Sequence, residues 1–236
     1  SENEGGWTTV APSAIAYHEN ETAPIALDNL GIQKVLNDFQ SATRRAVQAG
    51  YEVLEIHAAH GYLLHQFLSP LTNQRTDEYG GSFENRIRLT LETVTAVQAE
   101  WPSNLPLFVR ISATDWAKGG WSVEESVQLS QILKEKGVDL IDVSSGGLES
   151  HQKITIGPNY QVPFAEKIKK ETGIRTGAVG MITEAHQAEN ILSASQADLV
   201  FFARESLRNP ILGLDFATAL KETVAWPKQY ERAKTR

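Results

Sequence analysis

Two histidines three residues apart, His57 and His60, are followed two residues later by a tyrosine, Tyr62. A neutral imidazole donates an N–H hydrogen bond without carrying charge. Two such donors aimed at one substrate oxygen can stabilise negative charge that develops there. The same pair can also ligate a metal. A zinc site wants a third ligand and often uses His-Glu-x-x-His spacing. His65 lies eight residues after His57 with no acidic residue between them, and the remote carboxylates that come into question are Asp115 and Asp142. His65 reads as structural. Tyr62 is a general-acid candidate, because a free phenol of pKa about 10 is protonated at neutral pH. It can equally be a packing tyrosine.

These residues need elements to hold them. Apolar, β-branched runs predict strands at Val53–His57, Leu107–Ser112, Leu140–Ser144, Arg175–Val179 and Leu199–Ala203. Such continuous apolar runs suit parallel strands buried on both faces. Amphipathic stretches between them predict helices at Leu30–Ala49, Phe83–Glu100, Val123–Glu135, Tyr160–Lys170 and Glu184–Ala194. The first should bury Val35, Phe39, Ala42, Ala46 and Ala49. Ser122 and Glu125 make a capping-box pattern before the third, and Thr183 is placed to cap the last. Strand–helix alternation implies a parallel α/β architecture with right-handed crossovers. No Gly-x-Gly-x-x-Gly follows a strand, which weakens an open dinucleotide-binding sheet. His57, Arg110, Ser144 and Arg204 gather at the carboxyl ends of the strands, where a (β/α)8 TIM barrel keeps its active site. Five strands are visible and a barrel needs eight. Residues 1–236 therefore read as about the last five βα units of one barrel domain, with 1–29 an excursion loop and 30–236 the βα units.

Composition narrows the partners. The formal charge is -7 and the pI about 5.4, so bulk electrostatics select neither nucleic acid nor an anionic membrane. No apolar stretch approaches the roughly 20 residues of a spanning helix. The chain has no cysteine, which excludes disulfides, thiolate catalysis and cysteine-bound metal within it. A cytoplasmic location fits this composition.

The run His57-Ala58-Ala59-His60-Gly61-Tyr62-Leu63-Leu64-His65-Gln66-Phe67-Leu68-Ser69-Pro70 continues into Asn73-Gln74-Arg75-Thr76-Asp77-Glu78-Tyr79-Gly80-Gly81-Ser82. Further on come Phe108–Ser112, Asp139–Gly147, Gly177–Ile182 and Ala203–Leu207. This ordered set resembles the Old Yellow Enzyme family, and within it the bacterial, thermophilic-like class of FMN-dependent ene-reductases. The resemblance covers essentially the whole chain.

It implies a TIM barrel that binds FMN and takes hydride from NADPH or NADH. The hydride then reaches the activated C=C bond of an enone, enal, maleimide or nitroalkene. His57 and His60 would hold the activating oxygen and Tyr62 would protonate the α-carbon. Arg110 would face the N1/C2-carbonyl edge of the flavin, although an arginine there can also simply pair with a carboxylate. Gly180, Ala203 and Arg204 would take the phosphate. The family often has glycine where Ala203 stands. Arg232 would reach a neighbouring subunit's site in a homodimer or tetramer. Nothing in residues 1–29 resembles the family's first strands, so an N-terminal complementing segment or chain is expected. Two other readings stay open: a metal-dependent barrel hydrolase, and a non-catalytic half of a split barrel. Trp116 and Trp121 flank a Gly-Gly pair and read as packing residues.

Overall fold

A computed structural model of the chain describes residues 4–234. Its centre is a five-stranded parallel sheet of β3 (Leu54–Ala58), β4 (Leu107–Ser112), β5 (Leu140–Ser144), β6 (Arg175–Ala178) and β7 (Leu199–Val200), paired in sequence order. Sequential parallel pairing with a helix between each pair of strands is the barrel-type βα succession, so the architecture is α/β and a portion of a (β/α)8 barrel. Two further strands, β1 (Val10–Ala11) and β2 (Ile25–Ala26), form a separate parallel pair. They lie in the excursion, which Arg75 ties down by donating to the carbonyls of Pro12 and Leu27.

The helices are α1 (Asn29–Gln48), α2 (Leu63–Leu68), α3 (Phe83–Arg86), α4 (Arg88–Gln98), α5 (Val123–Glu135), α6 (Val162–Thr172), α7 (Ala185–Ser193), α8 (Arg204–Arg208) and α9 (Leu212–Ala219). The register divides each strand into two faces. Ile56, Val109, Ile141 and the next row Ala58, Ile111, Val143, Ala178 are buried against helix residues such as Leu64, Val94, Leu129 and Ile168. The other face carries His57, Arg110, Asp142, Gly177 and Leu199 in one continuous row across all five strands. One face is the hydrophobic core and the other bears the chemistry.

Several boundaries differ from expectation. β3 begins at Leu54 and ends at Ala58, because Ala58 pairs with Ile111 while Val53 is exposed. β7 stops at Val200: Phe201 still donates its N–H to Ala178, but the chain then leaves the ladder. The stripe of α1 is Ile32, Val35, Leu36, Phe39, Thr43 and Ala46, whereas Ala42 and Ala49 face solvent. The expected helix Phe83–Glu100 divides into α3 and α4 at Ile87. α6 starts two residues late, at Val162 with Pro163 in its first turn, and ends on the left-handed Gly173. Thr183 does not cap α7. The N-cap residue is Glu184, which makes no side-chain capping bond, and Gln187 Oε1 instead reaches back to the Thr183 N–H. The capping box of Ser122 and Glu125 is present. Short α2, α8 and α9 have too few turns to show a periodicity in sequence.

Candidate active site

The turn after β3 builds the first part of the site. His60 adopts φ 57° and Gly61 φ 77°, two successive left-handed residues. For a histidine that conformation costs about 1–2 kcal/mol, so the surroundings must hold it. They do so at each peptide group. The His60 N–H donates to Ser112 Oγ at 3.0 Å, and the Gly61 N–H donates to His65 Nδ1 at 2.9 Å. The Gly61 carbonyl accepts from Gln66 Nε2 at 2.8 Å. Glycine is required at 61 in any case, since a Cβ there would stand 2.2 Å from the Gly147 carbonyl oxygen.

The turn brings three rings together. The His57 ring centroid lies 5.2 Å from that of His60 and 5.3 Å from that of Tyr62. His57 and His60 are half-buried, and Tyr62 is 63% exposed. Lost hydration pushes both histidines down, and the Arg110 guanidinium adds to the shift. His60 falls to about 4, so it is neutral at physiological pH. His60 Nε2 is 2.6 Å from Ser144 Oγ, and the Ser144 hydroxyl is within 3.4 Å of Gln161 Oε1. A proton order that satisfies both bonds has Ser144 donating to Gln161 and accepting from His60.

Arg110 follows from the strand register. It stands beside His57 on one side and Asp142 on the other, with Nε 3.1 Å from Asp142 Oδ2. The pairing with a carboxylate is therefore real. It is also incomplete: Arg110 Nε and both Asp142 oxygens are buried without a well-directed hydrogen bond. Burial pushes Asp142 up to about 7, against the opposing pull of Arg110 and with help from nearby Glu55. Glu55 is itself raised, mainly by lost hydration.

A cleft of about 590 Å³ opens beside these groups. Its lining includes His60, Arg110 and Ser144 together with Gly180, Ala203 and Arg204, but neither His57 nor Tyr62. Such a volume is in the range of cofactor and ligand sites. Gly180 has φ 121°, and a Cβ there would come within 2.8 Å of Tyr160 and Gln161. Ala203 has φ -111°, so alanine meets no left-handed penalty where the family often has glycine. Arg204 is solvent-exposed at the start of α8. A more open groove of about 480 Å³ between α1 and α4, lined in part by Leu36 and Leu91, contains no histidine.

Not every expected residue converges. Arg232 lies on an exposed 3₁₀ turn, Glu231–Ala233, and does not line the cleft. Trp121 is buried and stacks on Phe83, while Trp116 packs edge-on against Phe164. Among the described residues no three His, Asp or Glu side chains form a group able to hold a metal ion. Asp115 bonds to His65 instead, and Asp142 faces Arg110. Sequence reasoning missed Ser112, Gln161 and the His65–Asp115 pair. The signal available was polar residues ending apolar strands, which does not reveal their partners.

The comparisons with known proteins agree with this fold. The chain is 49% identical over 224 residues to an NADPH dehydrogenase of Listeria welshimeri, a match that covers 95% of this chain and 65% of the relative. It thus spans 65% of the length of the curated relatives it matches first. Among solved structures, an Old Yellow Enzyme homologue from Zymomonas mobilis superposes with TM-score 0.75 at 26% identity, covering 95% of this chain and 64% of the other. A 2-naphthoyl-CoA reductase superposes with TM-score 0.84 at 25% identity over 91% of this chain and 33% of that one. Residues 3–222 match the family described as NADH:flavin oxidoreductase / NADH oxidase, and the chain belongs to that family.

Proposed function

We propose that this chain carries the substrate-binding and much of the flavin-binding surface of an FMN-dependent ene-reductase that uses NADPH or NADH. One observation supports this most: His57, His60 and Tyr62 crowd together next to Arg110, and His60 and Arg110 line the same cleft as Gly180, Ala203 and Arg204. The residues fit a flavin phosphate in specific ways. The backbone at Gly180 leaves no room for a side chain, and Arg204 supplies a cation for a charge-assisted contact. Arg110 has a buried Nε without a directed partner, suited to the electron-rich edge of an isoalloxazine.

When bound, FMN supplies the hydride that reaches the β-carbon of an activated alkene. The protein's own part is electrostatic and acid–base. His57 and His60 donate ring N–H bonds to the carbonyl or nitro oxygen and stabilise the charge that builds there. Both are held neutral, so they donate as imidazoles. The substrate oxygen competes with Ser144 Oγ for the His60 Nε2 hydrogen. Tyr62, exposed at the rim, delivers its phenolic proton to the α-carbon. Arg110 keeps a fixed positive charge beside the histidines. Arg232 belongs to the same proposal as a contributor to a neighbouring subunit's site in a dimer or tetramer, and the remaining strands come from an N-terminal segment.

His57→Ala in the flavin-loaded protein should keep FMN, lower enone turnover by about 10²–10³-fold and abolish phenol binding. The check is a phenol titration followed by its long-wavelength charge-transfer absorbance. An unchanged titration in that variant rules out the assigned role.

A further inference from the structure

His65 is fully buried at the start of α2, and both of its ring nitrogens are used. Nδ1 lies 2.9 Å from the Gly61 amide nitrogen, which can only donate. Nδ1 is therefore the unprotonated nitrogen, and the ring hydrogen sits on Nε2. That hydrogen points at Asp115 Oδ1, 2.8 Å away in the loop after β4. Asp115 is also fully buried, and its second oxygen accepts from Ser69 Oγ at 2.6 Å and from the Trp121 N–H at 2.7 Å. The loop is shaped around it: a Cβ at Gly120 would stand 2.5 Å from Asp115 Oδ2.

We infer that His65 and Asp115 are a positioning pair, which fixes the His60–Gly61 peptide plane and thereby aims His60 and Tyr62 at the substrate. The inference rests on the ene-reductase reading for what is being aimed. The Gly61 N–H belongs to the peptide that joins His60 to Gly61. Its direction is set by the rotations on either side of it, so holding it holds both. Both residues sit in the left-handed region, where the chain relaxes away if released. Ser112 and Gln66 tie the groups before and after. His65 ties the middle one, and Asp115 fixes its tautomer and orientation. Neither residue lines the cleft or touches the substrate histidines through a hydrogen bond.

Two conservative variants separate this role from simple core packing. Asn at 65 can put an amide oxygen where Nδ1 was and keep the Gly61 bond. Gln at 65 can reach the place of Nε2 and keep the Asp115 bond while losing Gly61. Amide hydrogen exchange of Gly61 in the flavin-loaded protein is the first readout. Wild type and His65→Asn should stay protected, and His65→Gln should exchange at least ~10-fold faster, the scale of one lost hydrogen bond. The second readout is phenol affinity of the flavin-loaded protein. His65→Asn should stay within ~3-fold of wild type, whereas His65→Gln should weaken by ~10-fold or more at unchanged flavin content. Equal behaviour of the two variants, or an unprotected Gly61 in wild type, overturns the inference. A wild-type protein with no phenol band removes the ene-reductase reading, and the Gly61 exchange comparison still decides what His65 holds.

Discussion

Arg110 and Asp142 carry the least conventional electrostatics of the site. Asp142 has 1% side-chain exposure and a folded pKa of about 7, above its unfolded value of 3.8. A raised carboxyl pKa means the folded state binds the proton more tightly. That contribution to stability is fully present below about 3.8 and is lost as pH rises through 7. His60 works the other way, with a folded pKa of about 4 against 6.5. Its contribution is present above 6.5 and is lost as pH falls through 4. Between these limits the two oppose each other. Asp142→Asn removes only the first, so its melting temperature relative to wild type should climb by several degrees as pH goes from 4 to 7. A difference that stays constant over that range, measured by thermal unfolding at closely spaced pH values, contradicts the assigned carboxyl. Arg110→Met should lower both FMN affinity and the flavin reduction potential, because it deletes the fixed cation. Potentiometric titration against a reference dye measures the second effect.

At the scale of elements, the amino terminus of α5 joins several parts of the molecule. Ser122 Oγ accepts from the Glu125 N–H and Glu125 Oε2 accepts from the Ser122 N–H, closing the capping box. The other oxygen of Glu125 accepts from Arg86, a buried residue at the end of α3 that also donates to the Leu68 carbonyl. The Arg86 guanidinium lies 5.6 Å from the centre of the Trp121 ring. Ser122→Ala loses one cap and should cost about 1 kcal/mol. Glu125→Ala loses the cap and strands a buried cation, so it should cost about 3 kcal/mol or more. Urea unfolding of both variants tests the order, and equal losses would contradict the bridging role of Glu125. The sequence pattern Ser122–Glu125 announced the cap. It could not announce Arg86, which is 39 residues away and reaches Glu125 only because the fold brings the end of α3 near the amino terminus of α5.

At the scale of the molecule, the five-stranded sheet has two edges, β3 and β7, each paired on one side only among the described residues. The chemical face of the sheet runs from His57 on one edge to Leu199 on the other. Open parallel edges recruit other strands. Residues 1–236 expressed by themselves should therefore associate or bind little flavin. Adding a segment that supplies further strands should give a soluble yellow protein. Size-exclusion chromatography with absorbance detection decides this, and a monomeric, stoichiometrically yellow 236-residue chain would refute it.

The amino-acid sequence alone determined the order of the five sheet strands and of the main helices between them, part of the buried stripe of α1, and the His57–Tyr62 cluster. Those features are local: periodicity declares a face, and six consecutive residues bring three chemical groups within one turn. Only the tertiary structure decided which polar groups answer one another. Arg110 meets Asp142 through the register of two strands, His60 meets Ser144 across 84 residues, and His65 meets Asp115 across 50. Only in the folded chain does His65, which reads as structural in the sequence, become the residue that holds Gly61. Such pairings depend on where parallel strands end and how the loops beyond them fold back, and that spacing leaves no periodic trace in the chain.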